Sequence, residues 1–510
     1  PAPRRPERGP AQYSDRLLGP RGTDRGGPFA MPRLSRAAIA RAVRGEVALG
    51  ARPPAGGTGH EVEGYSIDSR SIRPGELFFA IVGPRVDGHE FVGQAIAAGA
   101  AAAVVHRGGP ARYPDVPAIV RVKDTTRALQ DLGAHVRRAR PLRVAGITGS
   151  AGKTTAKEMA AAVLVQRFKV LKSEGNLNNT YGLPLMLLRL RDEQGAAVLE
   201  MGMSHKGEIA RLVEIADPDV GAILNVLKVH LEHFGTLEKI AAAKGELFGG
   251  MRKDAVAVYN ADDRLVARLG RAFPGRSIPY GLTAKKAQVK AEAIEVEGLR
   301  GSRFVLRHDG ESVPVRLSLP GKHNVYNALA AASIGWAFGL TGAEIRRGLE
   351  TVRPASMRGV LHRLANGVEV LDDSYNSNPA AMDRILEALR AAAPGGRRVL
   401  VSGDMLELGI YEGPAHARLG RQVAEAGIDL FVAVGPLHRR AAGAATAAGA
   451  GDVRHFDDSE AAAAFVATAA RPGDLVLVKG SRGMKMERVV QALLAAGGVG
   501  PPSGGAGGGP

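Results

Sequence analysis

Short apolar strands alternating with helical patterns in three successive stretches predict an α/β protein of several domains, each built on a parallel sheet covered by helices. A glycine- and lysine-rich turn, Gly149-Ser-Ala-Gly-Lys-Thr-Thr155, lies between a strand and a helix and predicts that the middle stretch holds phosphate groups. The chain has 510 residues, 45% of them hydrophobic, which suffices for about two to four domains.

Residues 1–30 are rich in Pro, Gly and Arg and show no apolar period, so a disordered extension is expected ahead of Met31, which offers a translational start. The first domain is expected over 31–140, with strands at Glu76–Val82, Ala101–His106 and Ala118–Val122 and a helix at Phe91–Ala98. The second is expected over 141–352. It opens with the apolar run Leu142–Ile147, the glycine turn and a helix at Thr154–Gln166. Strands at Ala197–Met201 and Val220–Val226 follow, then helices at Leu237–Phe248 and Val325–Phe338. The third, over 353–496, has strand-like Val399–Ser402, Leu430–Val434 and Leu475–Lys479 between alanine-rich helical stretches. Residues 497–510 are almost all Gly, Pro, Ala and Ser and are expected to be a disordered tail. There is no internal repeat.

The absence of cysteine rules out disulfides and thiolate metal sites and fits a reducing compartment. The formal net charge of +17 suits either nucleic acid or an acidic small molecule. Aromatics are only 5% and no basic run is interleaved with them, which argues against nucleic acid. No run reaches the roughly 18 apolar residues of a membrane span, and no signal segment opens the chain. A cytoplasmic protein without membrane insertion is expected.

The chemistry begins at the glycine turn. Gly149 and Gly152 have no Cβ to keep the backbone from phosphate oxygens, Lys153 brings a mobile positive charge, and the Thr154 hydroxyl can reach the Mg²⁺ that accompanies ATP. The first glycine of the general phosphate-loop pattern is missing, since Ile147 stands there. Glu200 ends an apolar strand, on the edge where open α/β sheets bind ligands, and a carboxylate there is a hard oxygen donor for Mg²⁺. The alternatives for it are a helix cap or a solvated acid. His230 lies just beyond the next strand and Lys244 on a helix after it; by spacing alone Lys244 reads more readily as a solvated helix charge than as a ligand.

The segments TGSAGKTTAKEM (148–159), NLNNTYGLPLMLL (176–188), LEMGMSHKG (199–207), Lys244-Gly-Glu246 and GKHNVYNALA (321–330) resemble the Mur ligase family. LDDSYNSNP (371–379), SGDMLELG (402–409) and VKGSRGMKME (478–487) resemble its branch that adds D-alanyl-D-alanine to a UDP-N-acetylmuramoyl-tripeptide. Asp68-Ser-Arg70 and Gly83–Phe91 resemble the family's UDP-sugar-binding portion. The resemblance spans about Met31 to Leu494. It implies a three-domain architecture: a UDP-sugar domain, a central phosphate-loop ATPase domain with a parallel sheet, and a Rossmann-like C-terminal ligase domain.

The resemblance also accounts for the shortened phosphate loop and implies roles for individual residues. Gly149, Ser150, Ala151, Gly152, Lys153, Thr154 and Thr155 would cradle ATP, with Asn324 and Asn327 on the adenine side and Arg358 and Asp373 reaching phosphates and ribose from the third domain. Thr154, Glu200, His230 and Lys244 would hold two Mg²⁺ ions, Lys244 as a carbamate, and Lys153, His230 and Lys244 would form the catalytic set. Ser69, Arg70, Asp87, Gly88 and His89 would face the UDP-sugar substrate, Asn178 would bind substrate, and Tyr375, Asn376 and Asn378 would face the incoming dipeptide. Helix capping by Asn324 and Asn327 and a turn at Asp372-Asp373 are the plain alternatives. A monomer with no nucleic-acid partner is expected.

Lys228, Val229 and Met186 depart from the family pattern. A sibling ligase that adds the third amino acid would carry Asp-Asn-Pro-Arg where Ser374–Pro379 stands here. The identity of that third residue is not legible in the sequence.

Overall fold

The structure is a computed structural model, and it describes residues 33–50, 60–113, 115–227, 229, 231–391 and 395–498. The expected N-terminal extension lies outside these residues, as do Lys228, His230 and all but the first two residues of the expected C-terminal tail.

Among the described residues the strands form four sheets. The first region carries a five-stranded sheet in the order Glu46–Leu49, Ala118–Arg121, Ala102–Val105, Glu76–Phe79, Gly64–Ser66. It is parallel apart from the antiparallel edge strand Glu46–Leu49. A two-stranded ribbon, Leu34–Ser35 with Glu61–Val62, lies beside it. Strands Glu76–Phe79 and Ala102–Val105 are buried at every residue, which explains why Leu77–Phe79 and Ala102–Val105 are unbroken apolar runs, since strands covered on both faces show no alternation.

The second sheet has nine strands, in the order Glu311–Leu317, Ser302–His308, Val289–Val296, Arg276–Gly281, Val256–Asn260, Val220–Ile223, Arg143–Thr148, Ala196–Glu200, Val170–Lys172. From Val170–Lys172 as far as Val289–Val296 the pairing is parallel. The last two pairings are antiparallel, a difference from the all-parallel expectation. Along this arm exposed charges such as Arg303, Arg307 and Arg316 alternate with buried Phe304, Leu306, Val315 and Leu317. One face meets water and the other packs on the core, as antiparallel strands allow. The C-terminal sheet runs Val360–Arg363, Glu369–Asp373, Leu475–Lys479, Arg398–Gly403, Leu430–Val434, Asp452–Phe456, parallel except for its first pair.

Helix Thr125–Arg138 starts at Asp124, whose carboxylate accepts from the Thr126 and Arg127 N–H groups. It leaves the first sheet and packs on helices Gly182–Leu187 and Glu208–Ala216 of the second. Buried Arg137 donates to the carbonyls of Ala216 (2.9 Å) and Asp217 (3.1 Å), and Gln130 Nε2 donates to the Thr180 carbonyl (3.1 Å). One apolar cluster therefore runs from Ile39 and Leu129 into Leu183, Leu212 and Phe248. The C-terminal sheet has its own clusters on its two faces, met from the antiparallel arm by Leu299. No helix among the described residues is long and apolar enough to cross a membrane.

Candidate active site

Strands Val220–Ile223, Arg143–Thr148 and Ala196–Glu200 are neighbours in the parallel part of the second sheet, so the loops after their carboxyl ends open into one crevice. The glycine turn follows the middle strand and enters helix Lys153–Leu164, with Thr154 and Thr155 in its first turn. Asn225, just past the neighbouring strand, fixes the turn from the side. Its Oδ1 accepts from the Ala151 N–H (2.9 Å), its Nδ2 donates to the Ala151 carbonyl (3.0 Å), and its own carbonyl accepts from the Ser150 N–H (3.0 Å). Ser150 Oγ accepts from the Leu227 N–H at 2.9 Å. Lys153 Nζ folds back onto the Gly149 carbonyl (2.9 Å).

Gly152 caps the helix at φ +83°, and a Cβ built there would lie 2.4 Å from Asn327 Oδ1, so neither conformation nor space admits a side chain. Asn327 thus lies against the phosphate loop itself. It donates to Asn324 Oδ1 (3.1 Å), and Asn324 donates to the Pro320 carbonyl (2.8 Å); Gly321, not an asparagine, caps the helix Lys322–Ala337.

Glu200 is 3% exposed, with one carboxylate oxygen on Thr154 Oγ1 and the other on Asn178 Nδ2, both at 2.9 Å. A buried carboxylate beside a hydroxyl is the hard-oxygen set that fits Mg²⁺, so Thr154 and Glu200 are the residues that could hold it. Asn178, expected to bind substrate, donates to Glu200 at the same crevice. Lys244 is 2% exposed on helix Leu237–Gly250, and no ion pair joins it to a described acid. Desolvation first, then the charge of Lys153, holds its pKa well below the ordinary lysine value. Lys153 is also lowered by desolvation, with Glu200 opposing the shift and Arg358 adding to it. His230, expected to complete the metal shell, lies outside the described residues.

The C-terminal sheet brings its carboxyl-edge loops to the same crevice. The Asp372-Asp373 pair divides its work: Asp372 Oδ1 accepts from the Ser374 N–H (3.1 Å) and forms the turn, while Asp373 pairs with Lys479 (2.5 Å). Lys479, 2% exposed, also donates to the Asn376 carbonyl (2.9 Å). Arg358 lies with its guanidinium carbon 3.9 Å from the Tyr375 ring centroid. Asn376 Oδ1 accepts from the Ser377 N–H and Asn378 Oδ1 from the Ala381 N–H, so Asn378 serves the start of helix Pro379–Ala391. His323, on the second domain, faces Arg384, Asp373 and Lys479 of the third; desolvation lowers its pKa to about 4. Sequence reasoning missed Asn225 and Lys479. Both are lone polar residues just at or past the carboxyl end of an apolar strand, the signal that found Glu200.

In the first domain, Arg70 pairs with Asp68 through two nitrogens (2.9 and 3.0 Å), and Ser69 Oγ donates to Gln94 Oε1 (3.0 Å). Asp87 caps the short helix Gly88–Phe91 and binds His89 Nδ1 (2.7 Å) and Arg107. His89 Nε2 accepts from the His106 N–H (3.2 Å), so both ring nitrogens are engaged; burial lowers this histidine's pKa to about 4. A Cβ on Gly88 would lie 2.6 Å from the Ile81 backbone.

A second polar cluster, Asp404, His416 and His438, is buried in the C-terminal domain with the spacing of a metal site. Its donors are already engaged. His438 bridges Ser402 Oγ (2.7 Å) and Asp404 Oδ1 (3.2 Å), while His416 bridges the Glu412 carbonyl (2.7 Å) and the Met405 N–H (3.1 Å). The network ties three loops together and leaves no imidazole lone pair for a metal.

Three family models match the chain: the Mur ligase family catalytic domain over 61–171, the Mur ligase middle domain over 147–335, and the Mur ligase glutamate ligase domain over 357–482. The chain is 39% identical to the UDP-N-acetylmuramoyl-tripeptide–D-alanyl-D-alanine ligase of Escherichia coli over 85% of its own length and 94% of that protein. It is 36% identical to the enzyme of that name from Bacillus subtilis, over 85% and 93%. Among solved structures it resembles MurF from Acinetobacter baumannii (TM-score 0.83, 33% identity, 91% of this chain and 100% of that one). It also resembles MurF ligase from Thermotoga maritima in complex with ADP (TM-score 0.73, 29% identity, 85% and 97%). With the phosphate loop, the buried Glu200 and the three α/β sheets in the order the motifs require, these similarities establish that the chain belongs to the Mur ligase family.

Proposed function

We propose that the chain is an ATP-dependent ligase that joins D-alanyl-D-alanine to a UDP-N-acetylmuramoyl-tripeptide, forming the pentapeptide precursor of peptidoglycan in the cytoplasm. The observation that carries the proposal is the meeting of Lys153, buried Lys244 and Arg358 with Glu200 at one sheet edge, with the phosphate loop among them.

A carboxylate is a poor electrophile. Transfer of the γ-phosphoryl group from ATP turns the tripeptide's carboxylate into an acyl phosphate; the dipeptide amine attacks its carbonyl carbon, the C–O bond to phosphate breaks, and the amine loses a proton. The protein's share is positioning and charge neutralisation. Lys153 and Arg358 offset charge on the phosphates, and the turn held by Asn225 fixes the backbone N–H groups that face them. Bound Mg²⁺ supplies further neutralisation of the phosphate and carboxylate oxygens. Thr154 and Glu200 would hold one ion. Lys244, whose protonation is disfavoured by burial and by the charge of Lys153, has the chemistry to take up CO₂ as a carbamate and hold a second.

Phosphate release tests the proposal. UDP-N-acetylmuramoyl-tripeptide with D-Ala-D-Ala should drive ATP cleavage far faster than any single amino acid. Equal turnover with free diaminopimelate or lysine on the dipeptide precursor would overturn it in favour of the preceding ligation.

A further inference from the structure

Arg358 sits on the segment that joins the second domain to the third, and its surroundings show how it is aimed. Its backbone is fastened on both sides to the Asp372–Tyr375 loop. The Tyr375 N–H donates to the Met357 carbonyl (3.1 Å), and the Gly359 N–H donates to the Asp372 carbonyl (2.8 Å). Met357 is held at φ +63° between these attachments. The Arg358 guanidinium lies 3.9 Å from the Tyr375 ring centroid, within cation–π range, and Arg482 approaches the same ring at 5.9 Å while paired to Glu487. The loop that carries the ring is fixed on both sides: Lys479 bridges Asp373 and the Asn376 carbonyl, and Ser374 is bound to Asp372.

From this geometry we infer that Tyr375 is a positioning residue for Arg358, not a contact for the incoming dipeptide. An arginine left in solvent samples many rotamers. Seated on an aromatic ring carried by a clamped loop, its fork is pre-organised before phosphates arrive. Its charge is felt at Lys153 across the domain boundary, so the seat holds it near the phosphate loop. The inference rests on the proposed phosphate role of Arg358.

Two measurements separate the possibilities: affinity for a non-hydrolysable ATP analogue, and steady-state turnover with D-Ala-D-Ala varied. Tyr375→Leu should lower analogue affinity and kcat by about threefold to thirtyfold, the range of a cation–π contact, with the KM for D-Ala-D-Ala unchanged. Tyr375→Phe should recover most of the loss, since the ring and not the hydroxyl is the seat. In an Arg358→Ala background Tyr375→Leu should add little, because the cation it serves is gone. A raised dipeptide KM with kcat retained in Tyr375→Leu would overturn the inference, as would fully multiplicative losses in the double variant. Should Tyr375→Leu fail to fold, a folded Tyr375→Phe that has lost analogue affinity overturns it and one that retains affinity supports it. Analogue binding does not depend on the acceptor, so a wild-type protein that rejects D-Ala-D-Ala refutes the proposed function while leaving this coupling measurable.

Discussion

Replacing Gly152 by alanine should damage the phosphate loop through two separable effects. The first is conformational: an L-residue held near φ +83° costs about 1–2 kcal/mol. The second is crowding. The new Cβ would lie 2.4 Å from Asn327 Oδ1, closer than the 3.0 Å that real Cβ contacts respect, so either the loop or Asn327 must move. Moving Asn327 breaks its bond to Asn324, worth about 1 kcal/mol. The sum is about 2–3 kcal/mol, equivalent to about 4–12 °C in the melting temperature of a domain of this size. Gly207→Ala is the control. Gly207 has φ +88° and nothing within 4 Å of the Cβ position, so it carries the first effect alone. Differential scanning calorimetry should therefore show a larger loss for Gly152→Ala than for Gly207→Ala. Turnover should fall roughly tenfold to a hundredfold in Gly152→Ala, because sub-ångström misplacement of phosphate-binding groups has that effect. Equal melting shifts in the two variants, or unchanged ATP affinity in Gly152→Ala, would refute the crowding argument.

Lys244→Ala should fold, bind ATP and lose most activity, with partial recovery in acetate as a carboxylate enters the vacated space; Lys244→Arg should stay inactive, and near-normal turnover by it in CO₂-depleted buffer would sink the carbamate proposal. The pKa of His438 is lowered from 6.5 to about 4 by burial, so the folded protein keeps it neutral while the unfolded chain protonates it. Its contribution to stability is complete above about pH 6.5 and is lost as the pH falls through 4. His438→Gln should flatten the decline of melting temperature between those values, and an unaltered slope would remove His438 as its source. Small-angle scattering should show the protein compacting when ATP and the UDP-sugar substrate are both saturating, as the third domain settles over the phosphate loop; an identical profile with and without them would argue against a hinge between Val352 and Gly359.

Leu430–Val434 and Leu475–Lys479 were legible to the residue because fully buried parallel strands are unbroken apolar runs bounded by polar residues. The arm from Val289 to Leu317 was not legible. Its apolar positions alternate with arginine and glutamate, and its outermost strand contains Pro314, so no run stands out. In the candidate site, Lys153 and Glu200 are marked by motif and strand-end position, and Lys244 by the family resemblance alone. The buried bond of Asn178 to Glu200 depends on a loop that folds back from a different strand, and nothing in the local pattern reports it. The motif of Tyr375 does not report its contact with Arg358, which is 17 positions away and is met only through the pairing of Val360–Arg363 with Glu369–Asp373.

The helix Thr125–Arg138 has a consequence for how the molecule comes apart. Its apolar face and the buried Arg137 are shared between the first two sheets, so neither side can lose this common cluster without exposing the other's part of it. Three sheets therefore make two cooperative unfolding units rather than three. The first two sheets should melt and protect their amides from exchange together, whereas the third, with separate cores, can unfold and refold around the Val352–Gly359 strap while the rest stays native. A chain emerging from the ribosome would have to complete the central sheet before its first 140 residues are fully committed to their fold.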